Sequence, residues 1–253
     1  MKYLLRILFV LSLSVCVTGG YTQKVASIDS TKNILLLKEV SGGVLLHSQG
    51  WGVKFSKGYN KTAFRKRILS FELTEIKSLK QIRTINPYFP NSRSYFYGKL
   101  NSFFVIRASY GIHRLLNRKP YWGGVEVRFV YMGGFSLGLA KPVYLYILNT
   151  NNIDNIYTRT IEKYNPSEHF YDNIYGRGPF TKGFNEISVY PGLHAKIGLD
   201  FDYGSYSTKV KSLEIGAEID IFPNPVPIMA FNDPNYFFLT FYLNFNFGKR
   251  YNR

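Results

Sequence analysis

The sequence predicts an all-β fold, an antiparallel transmembrane β-barrel with a polar lumen. Three observations support this prediction: strand-like runs with a two-residue period, an aromatic content of 17%, and an apolar leader at the amino terminus. Eight strands account for the runs, and ten strands are the alternative. A soluble periplasmic barrel is the competing interpretation, because periodicity alone does not tell which face points inward.

The leader, residues 1–20, has the pattern of a signal peptide. Lys2 and Arg6 lie at its charged start, and small residues end it at Gly20. A lipoprotein signal ending at Cys16 is the alternative, although Val15 is bulky for one. Cys16 is the only cysteine, so the exported chain would have no disulfide, thiolate metal site or cysteine nucleophile. Residues 21–43 are predicted to be a periplasmic lead, 44–248 the barrel, and 249–253 a short tail.

The strands are predicted at 44–57, 63–77, 100–113, 122–132, 135–148, 187–203, 209–222 and 235–248. Gly133-Gly134 predicts a tight turn, and Lys141-Pro142 predicts a bulge, because proline cannot donate to the ladder. With both termini periplasmic, 149–186 and 223–234 become extracellular connections. The connection 78–99 then falls on the periplasmic side, where a segment of its length fits poorly.

The final run reads NYFFLTFYLNFNFG from Asn235 to Gly248. Its apolar side chains share one parity: Phe237, Leu239, Phe241, Leu243, Phe245 and Phe247. The alternate positions are mostly polar. A tilted strand with this many apolar positions is long enough to cross a bilayer core, so the apolar face is predicted to face lipid.

Charged residues occupy the polar parity of several strands and are predicted to form a network in the lumen. The predicted network consists of Lys54, Glu72, Arg107, Glu126, Arg128, Lys196, Asp200, Asp202, Glu214 and Glu218. Side chains fill an eight-stranded barrel, and buried charges must be paired. The prediction is therefore an ionic plug, and a narrow ion or proton path is the alternative.

The net charge of +16 is the sum of +17 in residues 1–148 and −1 in residues 149–253. In an exported chain this excess favours anionic lipid and lipopolysaccharide as partners over nucleic acid. The residues predicted to contact lipid head groups surround the expected first extracellular turn: Lys57, Lys61, Arg65, Lys66 and Arg67. The alternative is a solvated loop.

No catalytic residue is predicted. His47 and Ser48 are adjacent and therefore point to opposite faces of a strand, while Ser109 and His113 lie about 13 Å apart along a strand. The four histidines are scattered, so neither a metal nor a cofactor is predicted. Aromatic residues in 149–186 predict either a folded cap over the barrel or a partner surface.

Two phrases, GGFSLGLAKPVYL (133–145) and FFLTFYLNFNFG (237–248), together with the leader, resemble small outer-membrane β-barrel proteins of Bacteroidota-type bacteria. The second phrase resembles the carboxy-terminal signal read by the barrel-assembly machinery, although residues follow Phe247 here. The resemblance implies a location in the cell outer membrane and carries no catalytic residues.

Three functional hypotheses follow from this interpretation. The first is a structural or accessory role in an envelope protein complex, without catalysis. The second is a narrow pore, and the third is a barrel enzyme that modifies lipid A.

Overall fold

The computed structural model describes residues 36–89, 91–119, 124–150, 157–204 and 208–252. The predicted signal peptide lies outside these residues. The strands are β1 Lys38–His47, β2 Gly50–Thr62, β3 Arg65–Ile76, β4 Arg83–Thr84, β5 Tyr95–Phe96, β6 Asn101–Asn117, β7 Glu126–Pro142, β8 Tyr144–Thr150, β9 Tyr157–Lys163, β10 Ile174–Arg177, β11 Ser188–Asp202, β12 Lys209–Val226 and β13 Asn235–Tyr251. In the described part of the chain, no helix is long and apolar enough to cross a membrane.

Eight of these strands form a closed barrel in the order β1-β13-β12-β11-β7-β6-β3-β2. The barrel closes at β1, where Val44 pairs with Phe245 of β13 on one side and with Val53 of β2 on the other. Every neighbouring pair in the barrel is antiparallel. The predicted eight-stranded antiparallel barrel is therefore confirmed.

Two turns within this barrel were predicted wrongly. The number of strands is still eight, because one predicted strand is a hairpin and two predicted strands are largely one. The run 44–57 is a hairpin, with β1 ending at His47 and β2 beginning at Gly50. Conversely, 122–132 and 135–148 are largely one strand, β7, which runs straight through Gly133-Gly134. A Cβ atom at Gly134 would lie 2.0 Å from the carbonyl oxygen of Ala108. Close packing of the neighbouring strand, and not a turn, explains that glycine.

The corrected strands change which connections share an end of the barrel. The terminal end carries Lys38 and Tyr251 and the short connections 63–64, 118–125 and 203–208. The opposite end, called the cap end, carries 77–100, 143–187 and 227–234 together with the tight turn 48–49. The segment 78–99 therefore lies beside the other long connections, and the prediction that it lies at the same end as the two termini is wrong.

Three further boundaries differ from the prediction. The barrel begins at Lys38, so residues 38–43 belong to β1 and not to a lead, and β13 continues to Tyr251 through most of the predicted tail. No bulge occurs at Lys141-Pro142, because Ser102 pairs with Lys141 and Asn101 with Pro142 in register. The proline is the last residue of β7, where a missing donor does not interrupt the ladder.

The long connections fold together into a cap. Strands β10, β8 and β9 form a three-stranded sheet, and β4 and β5 form a small hairpin. The cap has an apolar core of its own, made by Tyr95, Leu145, Ile147, Tyr164 and Ile174. The predicted folded cap is thus present, and it includes 77–100 as well as 149–186.

Candidate functional site

The outer surface of the barrel is apolar. Side chains on the outward parity are exposed around the whole wall, and they include Val44, Val53, Phe55, Phe71, Leu73, Ile106, Leu137, Leu193, Ile197, Ile215, Leu239 and Phe241. Phe241 is 67% exposed and Trp51 is 53% exposed. Of the six apolar residues predicted to face lipid on β13, five are exposed and Leu243 is half-buried. We call this surface the apolar belt.

The centre of the lumen holds a paired charge network built by strands from opposite sides of the barrel. Lys54 Nζ on β2 donates to Glu214 Oε2 on β12 at 2.7 Å. Lys196 Nζ on β11 donates to Glu72 Oε1 on β3 at 2.6 Å. These strand pairs are not neighbours in the barrel, so the contacts cross the lumen and tie its walls together.

Arg107 is the most connected member of this network. Its guanidinium donates to Glu218 Oε1 at 2.7 Å and to Asp220 Oδ2 at 2.6 Å, and it lies 3.6 Å from Glu72. Arg107 is completely buried, with 0% exposure. The sequence prediction omitted Asp220, although it shares the polar parity of β12. The alternation of β12 therefore contained the information needed to predict Asp220 as a lumen residue.

A second group of charges lies in the lumen at the terminal end. Lys66 Nζ donates to Glu39 Oε1 at 2.6 Å, and Arg250 bonds both Glu39 and Asp202. Lys66 was predicted to contact lipid head groups, which is wrong: it lies on the inward parity of β3 and is buried. Glu39 and Arg250 were missed because they lie in the segments predicted to be a lead and a tail.

All ten residues predicted for the lumen network lie on the inner side of the barrel wall, and Glu126 is the only one of the ten that is not fully buried. Arg128 bonds Glu126 on the same strand. Asp200 lies 3.9 Å from His113. These four residues lie towards the terminal end and are separate from the central Arg107 network.

The remaining predicted head-group residues, Lys57, Lys61, Arg65 and Arg67, are exposed near the turn 63–64. This turn lies at the terminal end, so the prediction that it lies at the end opposite the two termini is wrong. The cause is the hairpin at 48–49, which reverses the direction of the next strand. Their contact with lipid remains a prediction.

Three ligand-type side chains meet in the central network. Glu72, His194 and Glu218 present atoms within 4.8 Å of one another. The Lys196 ammonium lies 2.6 Å from Glu72 and 3.4 Å from Glu218. A lysine thus already supplies positive charge where a metal ion would lie. Sequence spacing could not reveal this grouping, because strand pairing brings the three residues together.

An apolar plug closes the lumen at the cap end. Its members are Ile76, Phe103, Val105, Ala140, Phe222, Val226, Ile228, Met229 and Phe238. The Phe103 ring lies 5.6 Å from that of Phe222 and 5.5 Å from that of Phe238, within the range of favourable ring contacts. The lumen is therefore packed with ion pairs in the middle and with hydrocarbon beneath the cap.

Hydrogen bonds also hold the cap together. Thr160 and Asn149 donate to Glu162 Oε1, and His169 Nε2 lies 3.2 Å from Glu162 Oε2. The hydrogen bond from Thr160, followed by that from Asn149, holds the pKa of Glu162 below its usual value. Glu162 is thus ionised near neutral pH and links β9 to the segment around His169.

Asn86 joins two connections of the cap. It is buried, and its amide donates to the carbonyl oxygens of Ile174 at 2.8 Å and Tyr171 at 3.2 Å. Asn86→Ala would leave buried carbonyls unpaired, at a cost of about 1–3 kcal/mol. We expect faster tryptic cleavage within 77–100, with an unchanged unfolding transition for the barrel. Asn185→Ala, at an exposed cap position, is the control, and equal cleavage of the two variants would contradict this role of Asn86.

No protein-family model and no curated protein matches the chain. Among solved structures it is similar to Ail, the attachment invasion locus protein of Yersinia pestis, at 12% identity over 85% of this chain and 99% of that one, with a TM-score of 0.42. It is also similar to Neisserial surface protein A, at 7% identity over 85% and 96%, with a TM-score of 0.40. Both are small outer-membrane β-barrel proteins. At these TM-scores neither similarity supports a conclusion about this chain. The closed barrel is established by the strand pairing of the chain itself.

Proposed function

We propose that this protein is an integral outer-membrane β-barrel with a closed lumen, which holds a folded cap at the cell surface as a structural or accessory part of an envelope complex. The apolar belt is the observation that carries the proposal. A monomeric water-soluble protein rarely exposes an apolar patch of more than a few hundred Å². Here exposed phenylalanine, leucine, isoleucine and valine surround the wall, while the paired charges around Arg107 point into the lumen.

The connection lengths supply the orientation. Outer-membrane barrels have short periplasmic turns and longer extracellular loops. By that rule the terminal end, with 63–64 and 203–208, faces the periplasm, and the cap end faces outward. The final strand ends in the aromatic pattern predicted to be read by the barrel-assembly machinery, and that partnership belongs to the same proposal.

The filled lumen supports a role other than conduction. The charges at its centre are paired across the barrel, and the apolar plug and the cap lie between them and the cell exterior. An eight-stranded barrel has an interior that its own side chains can fill. This arrangement supports a rigid barrel and does not favour the passage of ions.

The cap carries exposed aromatic side chains that a partner could cover. Tyr88, Phe170, Phe184 and Phe231 are all largely exposed, and they come from all three long connections. Aromatic residues are enriched where proteins bind one another. This surface supports an accessory role in an envelope complex over catalysis.

Conductance across a planar bilayer tests the closed lumen. We expect the purified protein to give no steady single-channel steps, because ions would have to displace packed ion pairs and phenylalanine rings. A porin inserted into the same bilayers is the positive control. Stable steps of uniform size would replace this proposal with the narrow pore.

Mass spectrometry of the lipid A from a deletion strain tests the enzyme hypothesis. We expect the lipid A spectrum to be unchanged.

A further inference from the structure

A basic pocket lies where the cap meets the outside of the barrel wall. Its volume is about 330 Å³, which lies at the lower end of the range for small-ligand sites. The charged side chains that line it are Lys77, Arg83, Lys99, Lys141, Arg177 and Glu75. Five cations and one carboxylate thus surround one cavity.

The pocket is on the outer face of the wall. Ile76, Phe103 and Ala140 belong to the apolar plug inside the lumen, so their neighbours Glu75, Ser102 and Lys141 point outward by strand alternation. Ile106 and Leu137 of the apolar belt lie four residues closer to the barrel centre on the same strands, about 13 Å away. The pocket is therefore just beyond the hydrocarbon-facing surface, at head-group depth.

Lys99 distinguishes the pocket from a solvated basic surface. The residue is 7% exposed and belongs to the lining of the cavity. Among the described residues, the contact recorded for Lys99 Nζ is with the Phe96 ring, at 5.2 Å from the centroid. Buried charges are ordinarily paired and hydrogen-bonded. Within the described part of the chain, no carboxylate lies within 4 Å of the Lys99 ammonium, and Lys99 lines the cavity.

The other cations of the pocket differ in how many donors they already use. Arg83 donates from Nε to Ser94 Oγ at 2.9 Å, and the described residues accept no hydrogen bond from its two outer guanidinium nitrogens. Lys141 donates to the carbonyl oxygens of Phe180 and Lys182 and also lies over the rings of Phe180 and Phe184, so it contributes mainly its charge. Glu75 is engaged with Lys77 at 3.2 Å. Burial lowers the pKa of Lys99; Glu75 opposes this, and Lys77, Arg177 and Lys141 reinforce it.

We propose that this pocket binds the phosphate group of an outer-leaflet lipid. The inference rests on the proposed function, since the barrel wall must lie in the membrane for a lipid to reach the site. Phosphate offers several acceptor oxygens to converging ammonium and guanidinium donors. Its negative charge also offsets the repulsion among the cations. The predicted head-group contact is thereby assigned to the cap end, in addition to the exposed cations of the terminal end.

Retention of phosphatidic acid tests the site. The full-length protein is reconstituted in phosphatidylcholine vesicles doped with phosphatidic acid, extracted in mild detergent and examined by native mass spectrometry. We expect one retained phosphatidic acid per wild-type barrel. Lys99→Met combined with Arg177→Gln should reduce retention at least tenfold, which corresponds to about 1.4 kcal/mol, because two charge-assisted contacts to the phosphate are lost. Lys211→Met combined with Arg114→Gln removes the same charge from exposed positions near the terminal end and should retain the lipid.

Two outcomes of this comparison would overturn the proposal. Equal retention by the wild type and the Lys99→Met, Arg177→Gln variant would show that the pocket is not the site. Equal loss in both double variants would show attraction by overall charge. A third arm titrates inorganic phosphate into protein held in pure phosphatidylcholine. Binding there that depends on Lys99, without retention of phosphatidic acid, would keep the phosphate chemistry and reject the lipid source.

Flotation of the same vesicles tests the membrane location of the barrel separately from lipid binding in the pocket. Each variant should co-float with lipid and resist carbonate extraction, because its apolar belt is unaltered. Failure of the wild type to co-float would reject the membrane location itself. Flotation without retained phosphatidic acid would reject only the pocket.

Discussion

Arg107→Met is expected to destabilise the barrel by about 3–5 kcal/mol, the cost typical of removing one partner from a buried ion pair. The guanidinium is completely buried and contacts Glu218, Asp220 and Glu72. Its removal leaves the buried carboxylates of Glu218 and Asp220 without their arginine partner. Urea unfolding in vesicles, followed by tryptophan fluorescence, would measure the loss, and the folded fraction would fall on unheated gels.

Two matched variants make this result specific. Arg67→Met removes the same side chain from the exposed exterior of the same barrel and should change stability by about 0.5 kcal/mol or less. Adding Asp220→Asn to Arg107→Met removes one of the freed charges. The double variant should therefore lose less than the sum of the two single losses, by about 0.5–3 kcal/mol. If Arg107→Met is as stable as Arg67→Met, the lumen is hydrated and the proposed closed lumen is wrong.

Phe241→Arg is expected to cost about 2–4 kcal/mol of stability in a bilayer, the range for a cation on the lipid face near the midplane of a barrel. Phe241 lies near the middle of β13 and is 67% exposed. In a water-soluble barrel the same substitution would place an arginine in solvent, with little cost. The unfolding free energy in vesicles thus discriminates between the two environments directly.

Phe247→Arg is the control for depth, because it changes the same residue type on the same face of β13. Phe247 is closer to the terminal end and pairs with Lys211, so we expect a cost of about 0–1 kcal/mol there. Equal, small effects at both positions would mean that no hydrocarbon contacts β13. The membrane location would then be rejected, together with the proposed function.

The fold class follows from local information. Alternation along the central parts of β11, β12 and β13 is legible in the sequence because each strand has one apolar face and one face that is mostly charged or polar. The same alternation identified the lumen residues, including Lys54, Glu72 and Arg107. The face that a side chain occupies depends only on its position within a single strand. The predicted face is therefore correct even where the predicted ends of the strand are wrong.

Boundaries depended on interactions between strands. Gly133-Gly134 has the composition of a turn, yet its environment is the close approach of Ala108 and Ser109 on β6. The turn at Ser48-Gln49 carries no glycine or proline within it, so the first hairpin was not recognised. Because each missed turn exchanges the two ends of the barrel for the strands that follow, the sides of 57–63 and 78–99 were predicted wrongly.

By itself, the sequence determined which side chains share a face of each strand, and from this it predicted a barrel with charged residues on one surface and apolar residues on the other. The tertiary structure decided which residues meet across the lumen, which connections share an end, and where five cations converge beneath the cap. Periodicity is encoded residue by residue along one strand. Contacts such as Arg107 with Asp220, or Lys99 beside Arg177 and Lys141, depend on closure, stagger and the path of long connections, which no local pattern records.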